Sequence, residues 1–206
     1  MTELQSSQVL LCDPLLIIIS GPSAVGKDSV LQQMMARDMP IHFVVTATSR
    51  PQRPGEREGV DYIFVSKAEF EAMIARDELL EYAVVYGEYK GIPKSQVKTA
   101  MLSGKDVVMR IDVQGAARIR NLCPDAVLIF LTCADAELTH RLQTRKSETP
   151  EKIQLRIQTA QQELRQIDQF DYVIENKDHA LKQTVDTIQA IIEAEHHRVH
   201  PKKVKL

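Results

Sequence analysis

The chain has few cysteines, no charge excess, no long apolar run and no repeat, and each shortage removes a class of protein. Its three cysteines, Cys12, Cys123 and Cys133, form no CxxC pair, which argues against a disulfide framework or a structural zinc site. A reducing, cytoplasmic compartment fits that usage. A formal net charge of −2 gives no bulk attraction to nucleic acid or to an anionic membrane, so neither is expected as a partner. The longest apolar run, residues 15 to 19, is far too short to span a bilayer, and no basic flank before it marks a signal peptide. What is present is the balance of one globular domain, 206 residues that are 44% hydrophobic and 26% charged.

The run "LLIIIS" (15 to 20) is apolar and rich in β-branched residues, so it reads as a strand buried on both faces. "GPSAVGK" (21 to 27) follows it, and Val30, Leu31, Met34 and Met35 then recur at helical spacing. Strand, glycine-rich loop and helix in that order are the context in which Gly-x-x-x-x-Gly-Lys binds phosphate. Gly21, Pro22, Ser23, Ala24, Val25, Gly26 and Lys27 are therefore expected to wrap a polyphosphate. Backbone N–H groups and the positive end of the helix would hold it, with the Lys27 ammonium beside the β- and γ-phosphates. Where such loops carry a Ser or Thr hydroxyl for Mg²⁺, this chain has Asp28. A carboxylate is as hard an oxygen ligand, and Ser29 is the next candidate.

Further apolar runs at 41 to 47, 106 to 112, 126 to 132 and 172 to 176, with helix-like stretches between most of them, predict an α/β fold with a parallel sheet covered on both faces. Two stretches interrupt the alternation. Residues 47 to 92 read as an inserted lobe, with a helix announced by the capping box Ser66-x-x-Glu69. Residues 141 to 156 read as an arginine-bearing flap whose second helix starts with Thr149 as cap and Pro150 in the first helical position. Within the lobe, Arg50 and Arg53 stand three apart on a loop stiffened by Pro51 and Pro54, an arrangement that suits a phosphate monoester dianion. Two incidental arginines on a solvated loop are the alternative. His196, His197 and His200 have no acidic partner in a metalloprotease pattern and read as a solvated helix end, and 199 to 206 as a frayed tail.

Taken in order and at their spacing, "GPSAVGK", "TSRPQRPGEREGVDYIFVS", "LLEYAVVYGEYKG", "IDVQGA", "RLQTR" and the late "EN" closely resemble the guanylate kinase family over roughly residues 15 to 195. The resemblance implies a P-loop kinase of three parts: a core (15–46, 93–140, 157–198), a monophosphate-binding lobe (47–92) and a lid (141–156). It implies transfer from ATP to GMP with Mg²⁺. By position, Arg50, Arg53, Tyr62 and Lys90 would meet the GMP phosphate, and Thr46, Glu81 and Asp112 would read guanine. Guanine's N1 and N2 donors suit two carboxylates, and its O6 suits a hydroxyl donor. Read alone, the same three positions also suit a strand hydroxyl, a surface strand residue and a strand-end turn former. Lys27, Arg141, Arg145 and Arg156 would carry transfer, and Asn176 would lie near adenine.

Five positions depart from the family's usual pattern. Ala24 replaces a glycine and is expected to need a negative φ. Lys90 replaces a tyrosine, Ile92 a small hydroxyl residue that helps to read the base, and Arg110 an acid. With Asp28 in place of a hydroxyl, the last substitution suggests that Asp28 and Arg110 are coupled, as an ion pair or as a relocated metal-site acid. The weakened base site keeps open a kinase for another phosphorylated acceptor, such as a ribose phosphate. A non-catalytic binding module is the other rival, against which the retained Lys27 and lid arginines argue.

Overall fold

The computed structural model describes residues 13–143 and 150–204. The first strand, β1 (Leu16–Ser20), is wholly buried, and its alternate side chains serve two different cores. Ile17 and Ile19 join one apolar cluster with Val30, Leu31 and Met34 of α1 (Lys27–Met35). Leu16 and Ile18 face the other way, into a cluster with Val97, Ala100, Ala116 and Ile119. That two-sided burial is why the sequence writes the strand as an unbroken apolar run.

After α1 come β2 (Ile41–Phe43), β3 (Ala47–Thr48), β4 (Ile63–Phe64), α2 (Lys67–Ala75), β5 (Leu79–Val85), β6 (Glu88–Pro93) and α3 (Lys94–Leu102). The chain continues through β7 (Asp106–Arg110), α4 (Val113–Leu122), β8 (Val127–Thr132), α5 (Asp135–Gln143), α6 (Pro150–Leu164), β9 (Tyr172–Glu175) and α7 (Leu181–His196). A five-stranded sheet in the order β2-β7-β1-β8-β9 is parallel throughout. A second sheet, β4-β3-β6-β5, is built entirely from residues 47–93. It has its own small core of Ala47, Phe70 and Leu79, with Phe70 stacked on Tyr89 at 5.0 Å.

Three expectations need correction. The run 41 to 47 is not one strand, because the chain passes between sheets within it. Val44 N donates to Val108 O (2.9 Å) in the first sheet, while Thr46 O accepts from Ile63 N (2.9 Å) in the second. Residues 201–204 are not frayed: Lys202 Nζ reaches Ala126 O (3.3 Å) and Val204 packs against the second core cluster. Nor is His196 solvated, since its Nε2 lies 2.8 Å from Asp106 Oδ2, whose other oxygen accepts from Leu15 N. The Ser66 cap is as read, its Oγ accepting from Glu69 N at 3.1 Å. α6 begins at Pro150, while Thr149 and Arg145 lie outside the described residues.

Candidate active site

The carboxyl ends of β1 and β7 and the inner edge of the second sheet enclose one cavity of about 1240 Å³. Every described residue assigned from the sequence to bind ATP, GMP or the metal lines it except Pro22 and Val25, and so does Arg110. Val25 is instead the loop's anchor. Its side chain is wholly buried in the first core cluster, and its carbonyl accepts from Asn176 Nδ2 (2.8 Å) and Arg141 Nη1 (3.1 Å). Gly21, at φ 135°, passes so close to β8 that an added Cβ would lie 2.2 Å from Leu131 O. Ala24 sits at φ 69°, against the expectation of a negative value, a left-handed conformation that costs a non-glycine residue on the order of 1 kcal/mol. Lys27 Nζ donates to Gly21 O (2.5 Å) and Pro22 O (2.9 Å), and burial pulls its pKa down to about 8 against the opposing charge of Glu163.

On the lobe side, Arg50 is fixed by a residue that the sequence did not mark. Glu56 grips its guanidinium with both carboxylate oxygens, at 2.7 and 2.5 Å, and also accepts from Arg53 N (2.8 Å). Glu56 is thereby held below the usual carboxylate range by the Arg50 guanidinium and the Arg53 N–H, despite its partial burial. Arg50 lies 4.6 Å and Arg110 4.3 Å from the centre of the Tyr62 ring, with Lys90 at 6.0 Å. Arg53 is exposed at the rim. Burial pulls Lys90 down to about 8 against the opposing charges of Asp28 and Asp112, and its cationic neighbours Arg110 and Arg50 add to the lowering. Cations gathered around one ring repel one another, and a bound dianion would relieve that repulsion.

Deeper in, Glu81 on β5 is buried and leans against the start of α4, where a Cβ on Gly115 would meet its Oε2 at 2.8 Å. Burial and then the charge of Asp112 push the Glu81 carboxyl up to about 8. Arg118, 3.7 Å away, works in the opposite direction, but it is half exposed and solvent screens it. Asp112 caps α4, accepting from Gly115 N at 2.9 Å. Thr46 already donates its hydroxyl to Arg110 O (3.2 Å), so reading O6 would require that proton to turn. Ile92 is wholly buried in the second core cluster and does not line the cavity, so its change from a hydroxyl residue serves packing.

The lid side brings Arg141 and Arg156 to the loop. Arg141 also donates to Asn176 O (3.0 Å) and Asp178 Oδ1 (2.6 Å). Arg156, on α6, donates to Ser23 Oγ (2.9 Å) and lies 4.0 Å from the centre of the Tyr86 ring. About two turns further along α6, Glu163 approaches the Ser23 backbone N–H, and burial raises its pKa. Nothing in the sequence separated Glu163 from the other acids of a polar helix. Asn176 is buried with its Oδ1 accepting from Thr184 Oγ1 (2.9 Å) and its Nδ2 on Val25, so its amide buttresses the phosphate loop. Asp28 and Arg110 do form an ion pair, Nη1 to Oδ1 at 2.5 Å.

Comparison with known proteins agrees with this geometry. The family model described as guanylate kinase matches residues 14–195. The chain is 48% identical over 195 residues to guanylate kinase 2, chloroplastic/mitochondrial, of Oryza sativa, covering 94% of this chain and 68% of the relative. It is 45% identical to guanylate kinase of Latilactobacillus sakei, covering 90% and 91%. The crystal structure of guanylate kinase from Anaplasma phagocytophilum superposes with a TM-score of 0.76 at 27% identity, covering 91% of this chain and 89% of that one. With its phosphate loop and the buried Glu81 carboxylate on one cavity and these matches along nearly its whole length, the chain belongs to the guanylate kinase family.

Proposed function

We infer that the chain is a guanylate kinase, transferring the γ-phosphoryl group of ATP to GMP to give ADP and GDP. One observation carries this reading. A single cavity holds a phosphate loop at one end and, at the other, a cluster of cations beside the buried Glu81 and half-buried Asp112 carboxylates, as a donor triphosphate and an acceptor guanine monophosphate require. The loop and Lys27 would hold the donor phosphates, Arg50, Arg53, Tyr62 and Lys90 the acceptor phosphate, and Glu81, Asp112 and Thr46 the base. Residues 47–92 serve as the acceptor lobe and 141–156 as the lid, although the helix carrying Arg156 extends to Leu164. Arg141, Arg145 and Arg156 would neutralise charge developing on the transferring group. Transfer then needs alignment and charge neutralisation, with no protein nucleophile.

Mg²⁺ is the ion that the donor set fits. Asp28 and Ser29, in the first turn of α1, offer hard oxygens, and among the described residues no larger acidic, histidine or cysteine cluster competes with them. Bound there with the nucleotide, Mg²⁺ would offset phosphate charge. A cytoplasmic setting accords with Cys133, a buried free thiol whose pKa burial raises to about 11, and no helix among the described residues is long and apolar enough to cross a membrane. The test is a coupled assay with ATP against GMP, AMP, UMP and ribose phosphates. Turnover of GMP above all others is expected. Preference for a ribose phosphate would select the rival kinase, and no turnover with any acceptor would select the binding module.

A further inference from the structure

Arg110 ends β7 on the floor of the cavity, buried to 9% exposure. Its two guanidinium arms go to different halves of the site. Nη1 donates to Asp28 in the first turn of α1, behind the phosphate loop. Nη2 donates to the backbone oxygen of Asp61 at 2.8 Å, and the flat of the group lies 4.3 Å from the centre of Tyr62, both in the segment that leads into β4. Nothing in the bare sequence could show that second arm.

Two features make this more than an ion pair that fills a gap. Burial is lopsided, with the Arg110 side chain 10% exposed and Asp28 51%, so the cation is the fixed member and the carboxylate is the one steered. The guanidinium is also planar, and its N–H groups keep a set spacing and angle. A displacement of Asp61 and Tyr62 therefore turns the group that holds Asp28. Tyr62 faces Arg50, so an acceptor phosphate that draws the lobe's cations together acts on the same ring that Arg110 lies against.

We propose that Arg110 is a positioning residue that couples the two substrate sites, setting the Asp28 carboxylate on the donor side according to whether the acceptor lobe is engaged. It needs no contact with either substrate. The inference rests on the reading of the cavity as the ATP and GMP site. Because coupling between sites is reciprocal, a donor bound against Asp28 must tighten acceptor binding by the same factor by which the acceptor tightens the donor.

The experiment is calorimetric titration of the full chain with GMP, alone and with saturating Mg²⁺ and a non-hydrolysable ATP analogue. The ratio of the two dissociation constants is the coupling factor, which is expected to be roughly fivefold or more for the wild type. Arg110→Lys keeps the charge but cannot hold two partners at a fixed angle, so its factor should fall to within about twofold of one. Asp28→Asn removes the other end of the bridge on a half-exposed side chain that the fold can spare, and should show the same loss. Combining the two changes should add nothing further. A purely structural role would lower melting temperature and weaken both titrations while leaving their ratio intact. A coupling factor of one in the wild type, or a factor retained in both variants, overturns the proposal. GMP that binds no wild-type protein at all overturns the functional reading, and the coupling with it.

Discussion

At the scale of single residues, burial decides what a side chain can do more firmly than its type. Ile92 stands where a base-reading hydroxyl is usual, and restoring a serine there looks from sequence like a gain in selectivity. Its complete burial in the apolar cluster predicts a loss of stability and no gain in selectivity. Ile92→Ser should cost about 2–4 kcal/mol through the cavity and the buried hydroxyl, seen as a lower midpoint in urea unfolding, with the GMP to AMP ratio of kcat/KM little changed. Glu81 shows the same rule for a charged group. Its carboxyl titrates near 8 in the folded protein against an ordinary value of 4.5, so the unfolded chain ionises first as pH rises. Stability from this residue is therefore full below about 4.5, falls between 4.5 and 8, and is level above. Unfolding free energies at pH 5, 7 and 9 should show the wild type losing a few kcal/mol relative to Glu81→Gln across that window. A constant difference would mean that Arg118 keeps Glu81 charged.

At the scale of elements, the strand, loop and helix at 15 to 35 were legible because two-sided burial and loop glycines leave unmistakable marks. The break between β2 and β3 was not, since the apolar pattern runs on through residues at which the backbone changes sheets. Glu56 and Glu163 were hidden for another reason: an acid on a charged loop or a polar helix is unremarkable until a fold places it. The Asp28 and Arg110 pair was legible only because two departures from a pattern had opposite charge. Arg50→Ala should raise the KM for GMP by roughly ten- to hundredfold while the KM for ATP stays within about twofold, since the loop from 50 to 56 contributes to the acceptor end alone. Arg156 belongs to α6 and meets the phosphate loop through Ser23. Its change to alanine should lower kcat by about a hundredfold while both substrates still bind, because its charge matters most when the phosphoryl group is in transit. Binding and kcat falling together would show that α6 instead holds the loop in shape.

At the scale of the whole molecule, two sheets meet at one cavity, and groups from each are kept there in ionisation states that water would not give them. Lys27 on the donor side and Lys90 on the acceptor side both sit near 8. A bound phosphate favours the ammonium form, so near pH 8 capture of a nucleotide should draw protons from the medium. For Mg²⁺ with ADP at the loop, uptake should be roughly half a proton at pH 8 and far less at pH 7. The measurement is calorimetry in buffers of different ionisation enthalpy, where the apparent heat should climb in proportion to that enthalpy. A slope of zero at pH 8 would show Lys27 already charged. GMP differs, because Lys90 takes up a proton while Glu81, meeting the donors of guanine, gives one back. The donor should thus make the surrounding solution more alkaline on binding, whereas the acceptor should leave it nearly unchanged, so a pH indicator dye alone could tell which end of the cavity has been filled.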